Sequence, residues 1–152
     1  MPVIECRAMP VDALPIAAEL RAEMEREFGF DYDQDRSGWR ERFCEFYGDR
    51  QRTGRGQLFL AFDGAEPIGM TLISLTDEWR SHCFGLRFGF INAVFVRPQY
   101  RRRGIARELM SRAIDWAREQ GCVRVRLRTS EEGRALYEGL GFGAGREMEL
   151  EL

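Results

Sequence analysis

Between Val94 and Ala106 the hydrophobic rhythm of the chain changes abruptly, and that change limits what it can fold into. A β-rich apolar run (Ile91, Val94, Phe95, Val96) stops at Pro98, which lacks the N–H that a central ladder needs. It gives way to Arg101-Arg102-Arg103-Gly104-Ile105-Ala106 and then to apolar residues at helical spacing. The pattern predicts a strand that opens onto the start of a helix. Free N–H groups at a helix N-terminus bind anions. The small residues Gly104 and Ala106 admit close approach of a ligand to the backbone, and three arginines supply counter-charge for phosphate.

The same periodicities organise the rest of the chain. Val3 to Ala8 predicts a short strand. Pro10 opens an amphipathic helix with Leu14, Ala17, Ala18, Leu20, Met24 and Phe28 at helical spacing, with Pro15 in its first turns. A second helix over 38–49 carries Trp39, Phe43, Phe46 and Tyr47, and the loop Asp31-Tyr32-Asp33-Gln34-Asp35 lies between the two. Strands follow over 57–62 and 67–76, joined at the hairpin signal Asp63-Gly64. After a connection holding Trp79, His82 and Phe84 comes the central strand, 87–96. The helix from Gly104 to Gln120 buries Ile105, Leu109, Met110, Ala113, Ile114 and Ala117, and Gly121 predicts its C-terminal cap. Strict alternation predicts a strand over 122–128, with Val123, Val125 and Leu127 on one side and Arg124, Arg126 and Arg128 on the other. A short helix over 131–139 and a last alternating strand over 147–152 complete the order. This is an α/β (α+β) arrangement in one domain over residues 1–152: about four helices around a mostly antiparallel, twisted sheet.

The 152 residues suffice for a core without staples, and 44% of them are apolar. A net charge of −2 from 23 cations and 25 acids argues against a general nucleic-acid or membrane binder and makes the arginine run a local feature. Every cation is arginine. Cys6, Cys44, Cys83 and Cys122 lack the paired spacing of a zinc or redox site, so no metal is expected and reduced thiols are the default. No apolar run approaches a membrane span, and a cytoplasmic protein is expected.

Arg101, Gly104 and Ala106 fill a pattern of Arg or Gln, two variable residues, Gly, one variable residue, then Gly or Ala. Downstream, Ala135-Leu136-Tyr137-Glu138-Gly139-Leu140-Gly141-Phe142 approaches a Leu-Tyr-x-x-x-Gly-Phe ending. On these two motifs the chain resembles the GNAT superfamily of acyl-CoA-dependent N-acyltransferases, whose order of elements it also matches from end to end.

The resemblance implies a sheet splayed at the central strand, where Val94, Phe95 and Val96 present backbone to the pantetheine arm of acetyl-CoA. The loop Arg101, Arg102, Arg103, Gly104, Ile105 and Ala106 would hold the pyrophosphate. Tyr137 occupies the place of the family's general acid, and a phenol with a pKa of about 10 suits protonation of a departing thiolate. Many relatives carry a Glu on the central strand where this chain has Asn92, so the base is open: a water held by Asn92, or a side chain such as His82, Glu78 or Glu27. Ser130 stands where many relatives place an Asn that contacts the cofactor; its hydroxyl can cap the following helix and donate one hydrogen bond.

An acceptor amine is expected near Glu27, Tyr32 and His82, within an acidic patch of Glu23, Glu27, Asp31, Asp33 and Asp35. Each of these has an ordinary reading beside the functional one. A charge run is commonly a solvated face, His82 beside Trp79 and Phe84 reads better as an ordinary loop histidine, and Tyr32, Trp39, Phe43 and Tyr47 fit a core better than a substrate wall. Tyr137 reads as an amphipathic core residue without the motif. Two other functions stay open: a non-catalytic acyl-CoA-binding or regulatory domain, and a domain whose arginine run binds an anionic partner. So does a homodimer, to which the apolar Phe84, Phe88 and Phe90 segment would contribute.

Overall fold

The computed structural model describes residues 3–79 and 85–152. His82, Cys83 and Phe84 therefore lie outside the described residues. The elements are β1 (Ile4–Met9), a 3-10 turn (Val11–Ala13), α1 (Leu14–Glu27), α2 (Tyr32–Asp35), α3 (Trp39–Arg52), β2 (Gly56–Asp63), β3 (Glu66–Asp77), β4 (Arg87–Val96), a second 3-10 turn (Pro98–Tyr100), α4 (Ile105–Glu119), β5 (Arg124–Leu127) and α5 (Arg134–Gly139). The strands form one sheet in the order β1-β2-β3-β4-β5. The first four run antiparallel, and β5 joins β4 in parallel.

Helices cover both faces. On one, α4 lays Ile105, Leu109, Met110, Ala113 and Ala117 against Phe59, Ala61, Ile68, Ile73, Ile91 and Val96. On the other, Leu14, Ala17 and Leu20 of α1 pack against Leu58, Leu60, Met70, Leu72, Ala93 and Phe95, with α3 alongside through Phe43 and Tyr47. The expected cap of α4 forms as a Schellman motif. Gly121 takes φ +79°, its N–H bonds to Arg118 O at 3.0 Å, and Cys122 N–H bonds to Ala117 O at 3.0 Å.

Four expectations need correction. The strand over 147–152 does not form: the segment carries no ladder, and Met148, Leu150 and Leu152 of its apolar row are 95%, 84% and 112% exposed. Alternation specifies a face but supplies no partner, and here only Glu147 and Glu149, on the polar row, meet Arg126 and Arg128. The acidic stretch 31–35 is a short helix, because the Asp31 carboxylate caps the N–H groups of Asp33 and Gln34 at 3.0 and 3.4 Å. This makes five helices among the described residues. Pro10 opens a 3-10 turn, and the α-helix starts only at Leu14. α5 begins at Arg134, three residues later than its pattern suggests.

Two features of β4 shape the site. Leu72 opposes Ala93 while Ile73 opposes Ile91, so Asn92 is an extra residue, a β-bulge. In a regular strand Ile91, Ala93 and Phe95 would share one face. The bulge switches the alternation, so Ile91 faces α4 while Ala93 and Phe95 face α1. The parallel ladder with β5 also ends at Ile91 and Leu127. Past the bulge, residues 92–96 have β3 on one side and, among the described residues, no strand on the other, which is the splay expected of the central strand.

Candidate active site

The turn that leaves β4 is tightly specified. Arg97 N–H returns to Ile68 O at 2.8 Å, and Pro98–Tyr100 form a 3-10 turn. Arg102 adopts φ +63° and Gly104 φ +79°, both left-handed. For arginine this conformation costs about 1–2 kcal/mol, a strain typical of ligand-binding loops. The result is a concave run of amides at the start of α4. The backbone N–H groups of Arg102, Arg103, Gly104, Ile105 and Ala106 donate to no acceptor among the described residues. Successive unpaired amides of this kind, together with the positive end of a 15-residue helix, make an anion cradle. Ile105 offers only backbone, because its side chain is in the core.

The three arginines divide their work, which the sequence does not show. Arg101 donates from Nε to Val96 O at 2.9 Å and from Nη2 to both carboxylate oxygens of Glu27 at 2.7 Å. Arg103 lies over the Tyr100 ring and donates to Gln99 O at 3.3 Å. Among the described residues, only Arg102 of the three has a side chain without a partner.

Around the splay, Phe95 and Val96 are buried in opposite cores and Val94 is half-buried, so β4 can offer its backbone but few side chains. Asn92 is fixed from two sides. Its Oδ1 accepts from Ser74 Oγ at 2.7 Å, and its carbonyl, displaced from the ladder by the bulge, accepts from Arg21 Nη1 at 3.2 Å. Arg21 in turn pairs with the buried Glu25 at 2.7 Å. These residues were missed in the sequence, although a signal existed: Arg21 and Glu25 continue the 14–18 spacing of the buried stripe of α1, where a charge needs a partner.

Tyr137, on α5, is half-buried beside α4 and meets the Phe142 ring edge-on at 6.0 Å. Gly133 lets the ring lie close, since a Cβ there would stand 2.9 Å from Tyr137 Cε2. Burial raises the phenol above its usual pKa, and its hydroxyl bonds to none of the described residues. Tyr137 is therefore protonated at neutral pH and available as a donor. Ser130 Oγ accepts from Gly133 N–H at 3.2 Å, capping the turn into α5.

Most of the acidic patch is already engaged. Glu23 binds Arg97 through both oxygens at 2.8 and 3.0 Å, and Glu27 binds Arg101. Asp33 pairs with Arg40 and accepts from Trp39 Nε1 at 3.0 Å, and these bonds lower its pKa to about 2. Tyr32 packs edge-on against Trp39 at 5.3 Å. Glu78 holds Arg126 at 2.5 Å. The acids thus act chiefly as ion-pair partners for arginine in this structure.

The sequence profile described as "Acetyltransferase (GNAT) family" matches residues 17–142. The aminoglycoside N(6')-acetyltransferase type 1 of Salmonella typhimurium is 28% identical over 87 residues, which span 55% of this chain and 60% of that protein. The glucosamine 6-phosphate N-acetyltransferase of Trypanosoma brucei brucei is 39% identical over 69 residues, 45% of this chain and 47% of that one. The chain thus spans about 60% of the length of the first of these relatives and about half of the other. A GCN5-related N-acetyltransferase from Ralstonia eutropha superposes with a TM-score of 0.85 at 26% identity, covering 99% of both chains. A predicted acetyltransferase of Clostridium acetobutylicum, solved with acetyl-CoA, superposes at 0.87 and 19% identity, covering 99% of this chain and 96% of that one. With the profile spanning most of its length, the chain belongs to the GNAT acetyltransferase family. Among the described residues, no helix is long and apolar enough to cross a membrane, and no group of His, Cys, Asp and Glu could hold a metal ion.

Proposed function

We propose that the protein is an N-acetyltransferase that moves the acetyl group of acetyl-CoA to a primary amine. The observation that carries this reading is the succession of two features along the chain: a β4 edge that has no neighbouring strand beyond Asn92 among the described residues, and unpaired amides at Arg102 to Ala106 in the loop that follows. The loop amides suit a pyrophosphate, and the edge suits the amides of a pantetheine arm, which would bond as an added strand. The turn over 97–101, tied back by Arg97 N–H to Ile68 O, joins them.

The amine nitrogen attacks the thioester carbonyl, the C–S bond breaks, Tyr137 gives its phenolic proton to the leaving sulfur, and the proton that the nitrogen sheds on becoming an amide returns to the phenolate through water. The amine must arrive neutral, so its ammonium proton leaves first. Neither β4 nor β5 carries a carboxylate: the side chain at the bulge is Asn92, and its Oδ1 and carbonyl oxygen each already accept a hydrogen bond. The Asn92 amide nitrogen remains to hold a water that carries the proton out. The relatives modify aminoglycosides, glucosamine 6-phosphate and thialysine, which share a primary amine and little else, so the acceptor class is proposed no more narrowly. The reaction as drawn needs no metal and no nucleic acid, and it fits a cytoplasmic protein.

The test is thiol release from acetyl-CoA with a panel of aminoglycosides, amino sugars, lysine analogues and N-terminal peptides. Release on one class with CoA bound supports the transferase. A second reading, a non-catalytic acyl-CoA-binding domain, is favoured by the missing carboxylate. It predicts stabilisation by CoA with no release on any amine.

A further inference from the structure

The first arginine of the pyrophosphate loop is held away from its own loop. Its nearest partners are the last carbonyl of β4 and the last residue of α1, Glu27. Two of its three guanidinium nitrogens are committed to these contacts. The next residue, Arg102, then turns into the left-handed conformation that starts the amide cradle. One turn earlier on α1, Glu23 grips Arg97 in the same two-oxygen manner. The two carboxylates on α1 are therefore four positions apart, and so are the two arginines after β4. The repeat fixes the end of α1 along the chain that leads into the loop. The pair is half-exposed, with side chains 40% and 39% accessible, so by itself it contributes little to holding the fold together.

Resting on the reading of this loop as the pyrophosphate site, we infer that Arg101 and Glu27 are a positioning pair. They set the angle at which Arg102 to Ala106 present their N–H groups, and Arg101 does not itself contact phosphate. The alternatives differ in sign. If Arg101 were a phosphate ligand restrained by Glu27, removing the Glu27 charge would free a cation beside an anionic ligand and tighten CoA. If the pair positions the loop, removing either partner loosens the cradle and weakens CoA.

The experiment compares wild type with Glu27→Gln, Arg101→Lys and the double variant. It measures CoA affinity by calorimetry, and steady-state kinetics with acetyl-CoA and with S-acetylpantetheine, a truncated donor lacking the pyrophosphate. Each single variant is expected to weaken CoA roughly tenfold, the order of one lost charge-assisted contact. The double variant is expected to be no worse than either, because the two residues act as a unit. The KM for acetyl-CoA should rise while kcat holds, and the kinetics with S-acetylpantetheine should not move. Tighter CoA binding by Glu27→Gln overturns the inference. So does full affinity in Arg101→Lys, since a lysine keeps the charge and loses only the fork. A rise confined to the KM of the amine would instead make Glu27 an acceptor contact. If wild type fails to bind CoA, the reading of the loop falls and takes the inference with it; if it binds and the variants match it, only the inference falls.

Discussion

Gly104 and Gly121 stand at the two ends of α4, both at φ +79°, and a Cβ on either would meet nothing within 4 Å. Alanine at each should therefore cost a similar amount of stability, about 1 kcal/mol or somewhat more, from the left-handed conformation alone. For a chain of this size that is a fall in Tm of roughly 2–4 °C per kcal/mol. Only Gly104 lies in the amide cradle. If an alanine in its place relieves its strain by moving φ to negative values, the N–H groups of residues 104 and 105 swing out of the concave face. Losing one charge-assisted bond of about 1.5–3 kcal/mol weakens the ligand by roughly ten- to a hundredfold. Thermal melts and CoA titrations on both variants test this. Gly121→Ala should lose stability and keep CoA affinity, whereas Gly104→Ala should lose both. Equal CoA affinity in the two variants, with equal falls in Tm, would refute the assignment of the loop as the phosphate site.

Tyr137→Phe should lower kcat by about a hundredfold or more, the usual worth of a positioned acid, with little change in CoA affinity or Tm because its hydroxyl bonds to no described residue. Burial raises this phenol above its usual pKa, so loss of the acid should bring no alkaline fall in kcat/KM below about pH 10. Asp33, lowered to about 2 by Arg40 and Trp39, contributes stability that is complete above the ordinary carboxylate pKa of 3.8. That contribution is lost as pH falls from there toward 2, and melts of Asp33→Asn should show a flatter acid limb. Leu109→Ala, at a fully buried position on α4, should cost about 2–5 kcal/mol in denaturant unfolding.

What could be read in the sequence was mostly local. The strand-to-helix switch at Pro98, the Asp63-Gly64 hairpin and the Gly121 cap each depend on a few adjacent residues whose backbone preferences point one way, and each formed where expected. The strand over 147–152 had an equally clear local pattern and did not form, because a ladder needs a partner edge that alternation alone does not provide. The bulge at Asn92 was out of reach for a related reason. It exists only in the register between β3 and β4, so the sequence shows the residue but not its displacement. Its consequence is that Arg21, which looks like a surface charge on α1, becomes the donor that satisfies the freed carbonyl.

The arginine run shows the same limit in the electrostatics. Arg101, Arg102 and Arg103 are identical in composition and adjacent in sequence, so any reading by charge treats them as one patch of three. The fold separates them by what surrounds each guanidinium. Arg101 reaches back to Val96 O and across to Glu27, 74 residues away in the chain. Arg103 folds over Tyr100, and Arg102, whose side chain has no partner among the described residues, is also the one whose backbone is strained. The count of charges available to a ligand is thus set partly by α1, an element with no part in the motif, and partly by Tyr100 and Gln99 in the turn after β4. A pyrophosphate entering this loop would meet a cradle of backbone amides with one unengaged guanidinium of the run beside it, and its affinity should depend more on loop geometry than on the number of arginines. Arg102→Gln then bears directly on the point: it should flatten the salt dependence of CoA binding while leaving more affinity than Gly104→Ala does. The opposite order, measured by titration at two ionic strengths, would mean that side-chain charge and not the amide cradle holds the phosphates.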